Sequence, residues 1–485
     1  MPRKTEVERM SRVDTAWLRM DTDANLMMIV GVWLLEPRIE YAALCRCIEE
    51  RLLKYRRFHQ KVVEDATGAS WVDDGGFDIR RHVLREKLAR RGGRSRRAAL
   101  QERVGELAAT RLDPARPLWQ FHLIEDYEPD RSALVARIHH CIGDGIALIA
   151  VMMSIVDGGR SPPQRARKTA DDAQGDWLGA AVLKPLTQLT VKALGMSGDG
   201  LARSLELLAR PSQPVLGSIG GSLELARTGM QVASDLAALA LMPDDSPTRL
   251  KGKPGRGKRV AWSEPMPLDE VKAVGKALGC SINDVLLASV AAALGAWLAS
   301  HGDATAGREI RAMVPVNLRP LEQAHELGNR FGLVPLLLPI GIVNPVERVY
   351  AVQRRMQALK GSYQPVLAFG LLALAGLLIK PVQAALLNMF AKKATAVMTN
   401  VPGPATPMKF CGSTLKQTMF WVPQSGDIGV GVSILSYAGG VQFGLITDSR
   451  LCPDPQAVIE RFRPEFEKLL LTTLMLPWRS AAAVV

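Results

Sequence analysis

The chain has 485 residues, 47% of them hydrophobic, 22% charged and only 5% aromatic, with a formal charge of +13. That length supports ample core and exceeds one compact unit, so two domains are expected. Six cysteines (Cys45, Cys47, Cys141, Cys280, Cys411, Cys452) lack the spacing of a disulfide framework, and the charged first nine residues lead into no apolar signal segment, so a reducing, cytoplasmic setting is expected.

Lysine and arginine cluster at residues 80–97 and again at 251–259. Such runs are usually solvated faces or linkers. Because aromatics are not interleaved with them, nucleic acid is the weakest of three partners that could use the charge. Anionic lipid headgroups and the phosphates of coenzyme A are the other two. A lipid surface is attractive because each lysine or arginine adds about 1 kcal/mol near anionic lipid.

Residues 133–138 read as a short buried strand and 146–156 as an apolar helix. Between them runs His139-His140-Cys141-Ile142-Gly143-Asp144-Gly145. Asp144 is placed to cap the helix, and Gly143 and Gly145 to let the chain turn tightly. A neutral imidazole here can take a proton from a poor nucleophile and return it to a leaving group. Adjacent strand residues face opposite ways, so only one histidine is expected in a pocket. The base role falls to His140, with His139 and Asp144 supporting the loop.

Short motifs recur by chance, and a surface pair of histidines is the bland alternative. A metal site is less favoured, since only His59, His82, His122, His301 and His325 remain and neither HExxH nor CxxC occurs. Cys141 as a covalent nucleophile is also less favoured, free cysteine being more often a small buried hydrophobe.

Beyond this motif, residues 160–168 read as a linker, and 177–242, rich in Leu, Ala and Gly, as a helical crossover broken by Pro243-Asp244-Asp245-Ser246-Pro247. The expected division is 1–160, 161–258 and 259–485. In the last part, helices are expected from Leu268 and from Asn283, and strands at 310–316, 394–399, 430–437 and 441–448. Ala438-Gly439-Gly440 should turn the last two as a hairpin. A helix should close the chain over 455–476. The apolar run 366–379 is shorter than the roughly 20 residues a spanning helix needs, so a packed helix is expected, with contact to a lipid interface, continuing to 391, as the minority reading.

Several further segments accompany the paired histidines. Ser11-Arg12-Val13-Asp14-Thr15-Ala16-Trp17-Leu18 opens the series and Pro117-Leu118-Trp119 precedes the histidines. Ser281-Ile282-Asn283-Asp284, Val314-Pro315-Val316-Asn317-Leu318-Arg319, Gly328-Asn329-Arg330-Phe331-Gly332 and Thr399-Asn400-Val401-Pro402-Gly403-Pro404 follow in order. Together they resemble the bacterial wax ester synthase/diacylglycerol acyltransferase family over nearly the whole chain. Asp427-Ile428-Gly429-Val430-Gly431 resembles an element of plant hydroxycinnamoyl-type acyltransferases, which supports the superfamily more than the substrate.

The resemblance implies an α/β (α+β) fold of two chloramphenicol acetyltransferase-like domains with a central tunnel. It implies long-chain acyl transfer from acyl-CoA to a fatty alcohol or diacylglycerol, giving wax ester or triacylglycerol, with no metal or prosthetic group. Pro117, Leu118, Trp119, Asn283 and Asp284 become candidates for the tunnel wall. For Asn283, Asp284 and Asn400, capping and hydrogen bonding are favoured over catalysis, although Asn283 could polarise the thioester oxygen. Arg319 is a candidate ion-pair partner for Asp144. The expected location is cytoplasmic, peripheral to the inner membrane or lipid inclusions. A carrier-dependent condensing domain, a catalytically silent lipid-surface protein and, more remotely, a basic DNA-binding protein are the alternatives.

Overall fold

A computed structural model of the chain describes residues 7–65, 68–88, 93–159, 234–235, 241–318, 327–360, 364–375 and 391–476. Its frame is two mixed sheets, each with helices packed on it. In the first, the strand order is Lys409–Phe410, Ser413–Trp421, Met28–Glu36, Arg131–His139, Trp119–Glu128 and Val83–Glu86. Met28–Glu36 and Arg131–His139 are central and mostly buried, which suits their near-continuous apolar sequences. In the second sheet the order is Phe331–Leu338, Ile310–Asn317, Ala396–Pro402, Val430–Tyr437, Gly440–Asp448 and Lys258–Trp262, with Met266–Pro267 also on Gly440–Asp448. Glu8–Arg9, Gly68–Asp73 and Gln60–Asp65 form a small third sheet.

The helix Ile282–Ser300 starts at a capping box, in which Ser281 accepts from the Asp284 amide and the Asp284 carboxylate accepts from the Ser281 amide. It is long and apolar enough to cross a membrane, yet most of it is buried. It packs in the core of the second sheet with Val458, Phe462 and Phe466 of the closing helix Pro455–Leu474, the behaviour of a core helix. The last hairpin turns as expected. Ala438 and Gly439 have φ of 49° and 80°, the two left-handed residues that a tight turn matching strand twist requires.

Two features depart from the linear division into halves. The second sheet opens at Lys258, one residue earlier than expected. More consequentially, Ser413–Trp421 pairs antiparallel with Met28–Glu36, so a segment of the second half completes the sheet of the first. The buried cluster holding Leu100 and Val104 with Val260, Trp262, Met419 and Trp421 joins the two halves. A polar stitch reinforces it: Lys258 Nζ donates to Asn25 Oδ1 at 2.5 Å, and Asn25 Nδ2 donates to the Gly426 carbonyl at 2.7 Å. The expected crossover, apart from residues 234–235 and 241–242, lies outside the described residues, as do Arg319 and 376–390. The helix Gln364–Ala375 covers part of the expected apolar run.

Candidate active site

His139 ends the central strand Arg131–His139, and the chain turns through Gly143 into the helix Gly145–Ile155. Asp144 caps that helix, its Oδ1 accepting from the Ala147 amide at 2.9 Å. Its Oδ2 accepts from the Arg330 amide at 3.0 Å and its own amide donates to the Gly328 carbonyl at 3.2 Å. The capping carboxylate thus also pins the loop to the second half. Neither loop glycine adopts a left-handed φ, which corrects the expected reason for them. A Cβ at Gly143 would lie 3.2 Å from Leu327, so close approach of the second half is what favours glycine there, whereas a Cβ at Gly145 meets nothing within 4 Å.

The two histidines diverge. His139 Nδ1 accepts from the Cys141 amide at 3.2 Å. Its Nε2 approaches Asp21 Oδ1 at 3.4 Å, an ion pair only with the ring charged and otherwise no hydrogen bond. His140 instead lines a cavity of about 800 Å³ between the halves, walled by Trp17, Asp144, Pro315, Phe331 and Asn400 among others. Its ring stacks on Trp17 with centroids 4.2 Å apart and an interplanar angle of 20°, and Phe331 flanks it at 5.6 Å. Burial pushes the imidazole pKa down to about 4, against the opposing pull of Asp144. The ring is therefore neutral at physiological pH, the form a base requires. Its Nδ1 is buried with no full hydrogen bond, although its own carbonyl oxygen is close enough to favour a proton on the ring.

Cys141 does not line this cavity and is packed in the core of the first half. It is fully buried beside Asp14 and Asp21, and burial pushes its thiol well above the usual range, so it lacks the thiolate a nucleophile needs.

A second, largely apolar cavity of about 940 Å³ lies between the helix Gly145–Ile155 and the first sheet. Its walls include Trp33, Leu134, Leu148, Met152, Phe410 and Tyr437. Gly145, Val401 and Phe420 line both cavities, so the two meet at the start of the motif helix.

The other expected site residues are dispersed. Pro117, Leu118 and Trp119 line neither cavity and are buried in the core of the first half. Trp119 stacks on His82 at 4.5 Å and donates its indole N–H to the Phe58 carbonyl at 2.7 Å, and the Leu118 carbonyl accepts from the His139 amide at 2.9 Å. They brace the strand behind the histidines. Asn283 also lies outside both cavities, but its Oδ1 accepts from Asn400 Nδ2 at 2.7 Å, and Asn400 does face His140's cavity. Asp284 serves the capping box and, although also a candidate for the tunnel wall, lines neither cavity.

Sequence reasoning missed the ring stack of Trp17 and the walls made by Phe331 and Phe420. Trp17 and Phe331 stood inside segments quoted for their order, but nothing local signals which faces they meet. Asp14, buried and with its carboxyl raised by that burial, and Asn329 were missed for the same reason.

The chain is similar to known proteins over most of its length. The wax ester synthase/diacylglycerol acyltransferase catalytic domain matches residues 10–286, and the WS/DGAT C-terminal domain matches 327–470. A Mycobacterium tuberculosis protein named a probable diacylglycerol O-acyltransferase is 26% identical over 458 residues, 92% of each chain. Among solved structures, the wax ester synthase/diacylglycerol acyltransferase of Marinobacter aquaeolei VT8 superposes with a TM-score of 0.64 at 20% identity, covering 96% of this chain and 100% of that one. The first condensation domain of the calcium-dependent antibiotic synthetase does so at 0.56 and 14% identity, covering 96% of each. These two likenesses establish the fold. The catalytic-domain match, spanning more than half of the sequence and containing the paired histidines, places the chain in the wax ester synthase/diacylglycerol acyltransferase family.

Proposed function

We propose that this acyltransferase moves a long-chain acyl group from acyl-CoA to the hydroxyl of a fatty alcohol or diacylglycerol, with His140 as the general base. The observation that carries the reading is a buried, neutral imidazole where a polar-edged cavity meets a large apolar one. The apolar cavity holds the alkyl chain, and the other, with Thr399, Asn400 and Ser425 in its wall, admits the thioester and the hydroxyl. The His140 carbonyl favours the proton on Nδ1, which leaves the Nε2 lone pair to accept one.

In this scheme Nε2 removes the hydroxyl proton as the oxygen attacks the thioester carbonyl. The tetrahedral intermediate then collapses, the carbon–sulfur bond breaks, and the imidazolium returns the proton to the coenzyme A sulfur. Burial excludes water, which protects the thioester from hydrolysis. No metal or prosthetic group enters this scheme. A cationic protein of net charge +13 is also suited to working at an anionic membrane surface or lipid inclusion from the cytoplasmic side.

The test is incubation with palmitoyl-CoA and either hexadecanol or dioleoylglycerol, following coenzyme A release and ester for wild type and His140→Ala. Ester from wild type, lost by at least about 100-fold in a folded mutant, is expected. No ester with either acceptor, or a mutant as active as wild type, would overturn the reading in favour of a carrier-dependent or lipid-binding role.

A further inference from the structure

His140 belongs to the first half, yet the side chain that hydrogen-bonds its backbone carbonyl belongs to the second. Asn329 sits just before the strand Phe331–Leu338, and its Nδ2 donates to the His140 carbonyl at 2.8 Å and to Asp14 Oδ1 at 2.7 Å. The same Asp14 oxygen accepts from the Asn329 backbone amide at 3.2 Å. Asp14 lies in the helix Arg12–Arg19, where its amide donates to the capping Ser11 hydroxyl at 3.1 Å. Asp14, Asn329 and His140 are all almost fully buried.

Two acceptors fix which way the amide faces, because a flipped amide would set its oxygen against a carboxylate. That leaves Asn329 Oδ1 buried with no full hydrogen bond, as is His140 Nδ1. Asn329 is nonetheless among the groups close enough to the imidazole to favour its protonated form. An unpaired buried oxygen costs stability, and a residue serving only to hold the halves together gains nothing from that cost. On the other side of the loop, Asp144 binds the Gly328 carbonyl and the Arg330 amide. The segment Gly328-Asn329-Arg330 is therefore clasped between Asp14 and Asp144, and Asn329 is the side chain that bonds the backbone of His140.

We propose that Asn329, fixed by Asp14, is the positioning residue of His140: its amide N–H holds the backbone carbonyl of the residue that carries the imidazole, and so sets where the ring stands. The base is then complete only when the two halves are docked. The proposal rests on the role assigned to His140 above, and its test separates the two.

Asn329→Ala should lower kcat by about 10- to 100-fold with KM for palmitoyl-CoA within about twofold, since a displaced base affects the chemical step more than binding. Asp14→Ala should follow it. Asp14→Asn keeps an acceptor oxygen for both bonds and should recover to within about fivefold of wild type. The exchange Asp14→Asn with Asn329→Asp restores a paired contact between the two positions, but residue 329 then has no donor for the His140 carbonyl. In the double variant kcat should therefore stay low even though the contact between the two positions is restored; recovery of kcat would reduce Asn329 to a tie between the halves and overturn the proposal.

A second readout does not depend on ester synthesis. The rate at which diethyl pyrocarbonate modifies His140, followed by mass spectrometry of the peptide, should rise at least about tenfold in Asn329→Ala as the ring loosens from its place. An unchanged rate overturns the positioning role whether or not wild type makes ester. A raised rate in a protein that makes no ester would uphold the clasp and discard only the acyltransferase assignment.

Discussion

The depressed pKa of His140 makes a stability prediction with a definite sign. In the unfolded chain the imidazole titrates near 6.5, and in the folded protein burial holds it down to about 4. Between those values the unfolded state binds the proton that the folded state refuses, so stability falls as pH falls through this window and rises with pH. The full difference is roughly 3 kcal/mol, and by pH 4.5 between about 2 and 3 kcal/mol should already be lost. His140→Gln removes this titration while keeping a planar polar side chain over Trp17.

Urea unfolding of both proteins at pH 7.5 and 4.5 isolates the contribution, because the other titrating groups are common to both. Wild type should lose about 2–3 kcal/mol more than the mutant across that interval. The same shift should appear in catalysis: the acid limb of kcat/KM should lie well below 6, because at pH 5.5 nearly all of a group with pKa 4 is neutral, against about a tenth of an ordinary histidine. Parallel stability curves for the two proteins, together with an acid limb near 6.5, would show that His140 is solvated and would refute the buried-base geometry.

Two further predictions concern packing. Leu148 lines the apolar cavity near its junction with the His140 cavity, so Leu148→Trp should shorten the usable space and lower kcat/KM for palmitoyl-CoA by at least about tenfold relative to octanoyl-CoA; an equal loss for both donors would place the chain elsewhere. Gly105 lies where the helix Arg96–Ala108 meets the strand Lys258–Trp262 of the other half, and a Cβ there would stand 2.5 Å from the Lys258 carbonyl oxygen. Gly105→Ala should therefore destabilise by about 1–3 kcal/mol, seen as a lower urea midpoint, and an unmoved midpoint would mean the contact between the halves is loose.

What the sequence determined by itself was local. The strand into His139, the Asp144 cap, the capping box at Ser281 and Asp284, and the turn at Ala438-Gly439 all depend on residues within a few positions of one another, where apolar periodicity and cap chemistry act directly. The ordered motifs also pointed to the family, and so to the fold. Tertiary structure decided the rest. Trp119 looked like a tunnel wall and is a core residue, since a lone tryptophan beside a motif carries no sign of which side of its sheet will be filled. Ser413–Trp421 belongs by sequence to the second half and completes the sheet of the first, because strand pairing is set by which edge is free and not by chain order. Trp17 stacks on His140 from more than a hundred residues away within the same half, and Asn329, held by Asp14, reaches it from the other half through contacts that exist only once the two halves have buried their facing surfaces. Local chemistry chose the base; long-range packing made it neutral, dry and aimed.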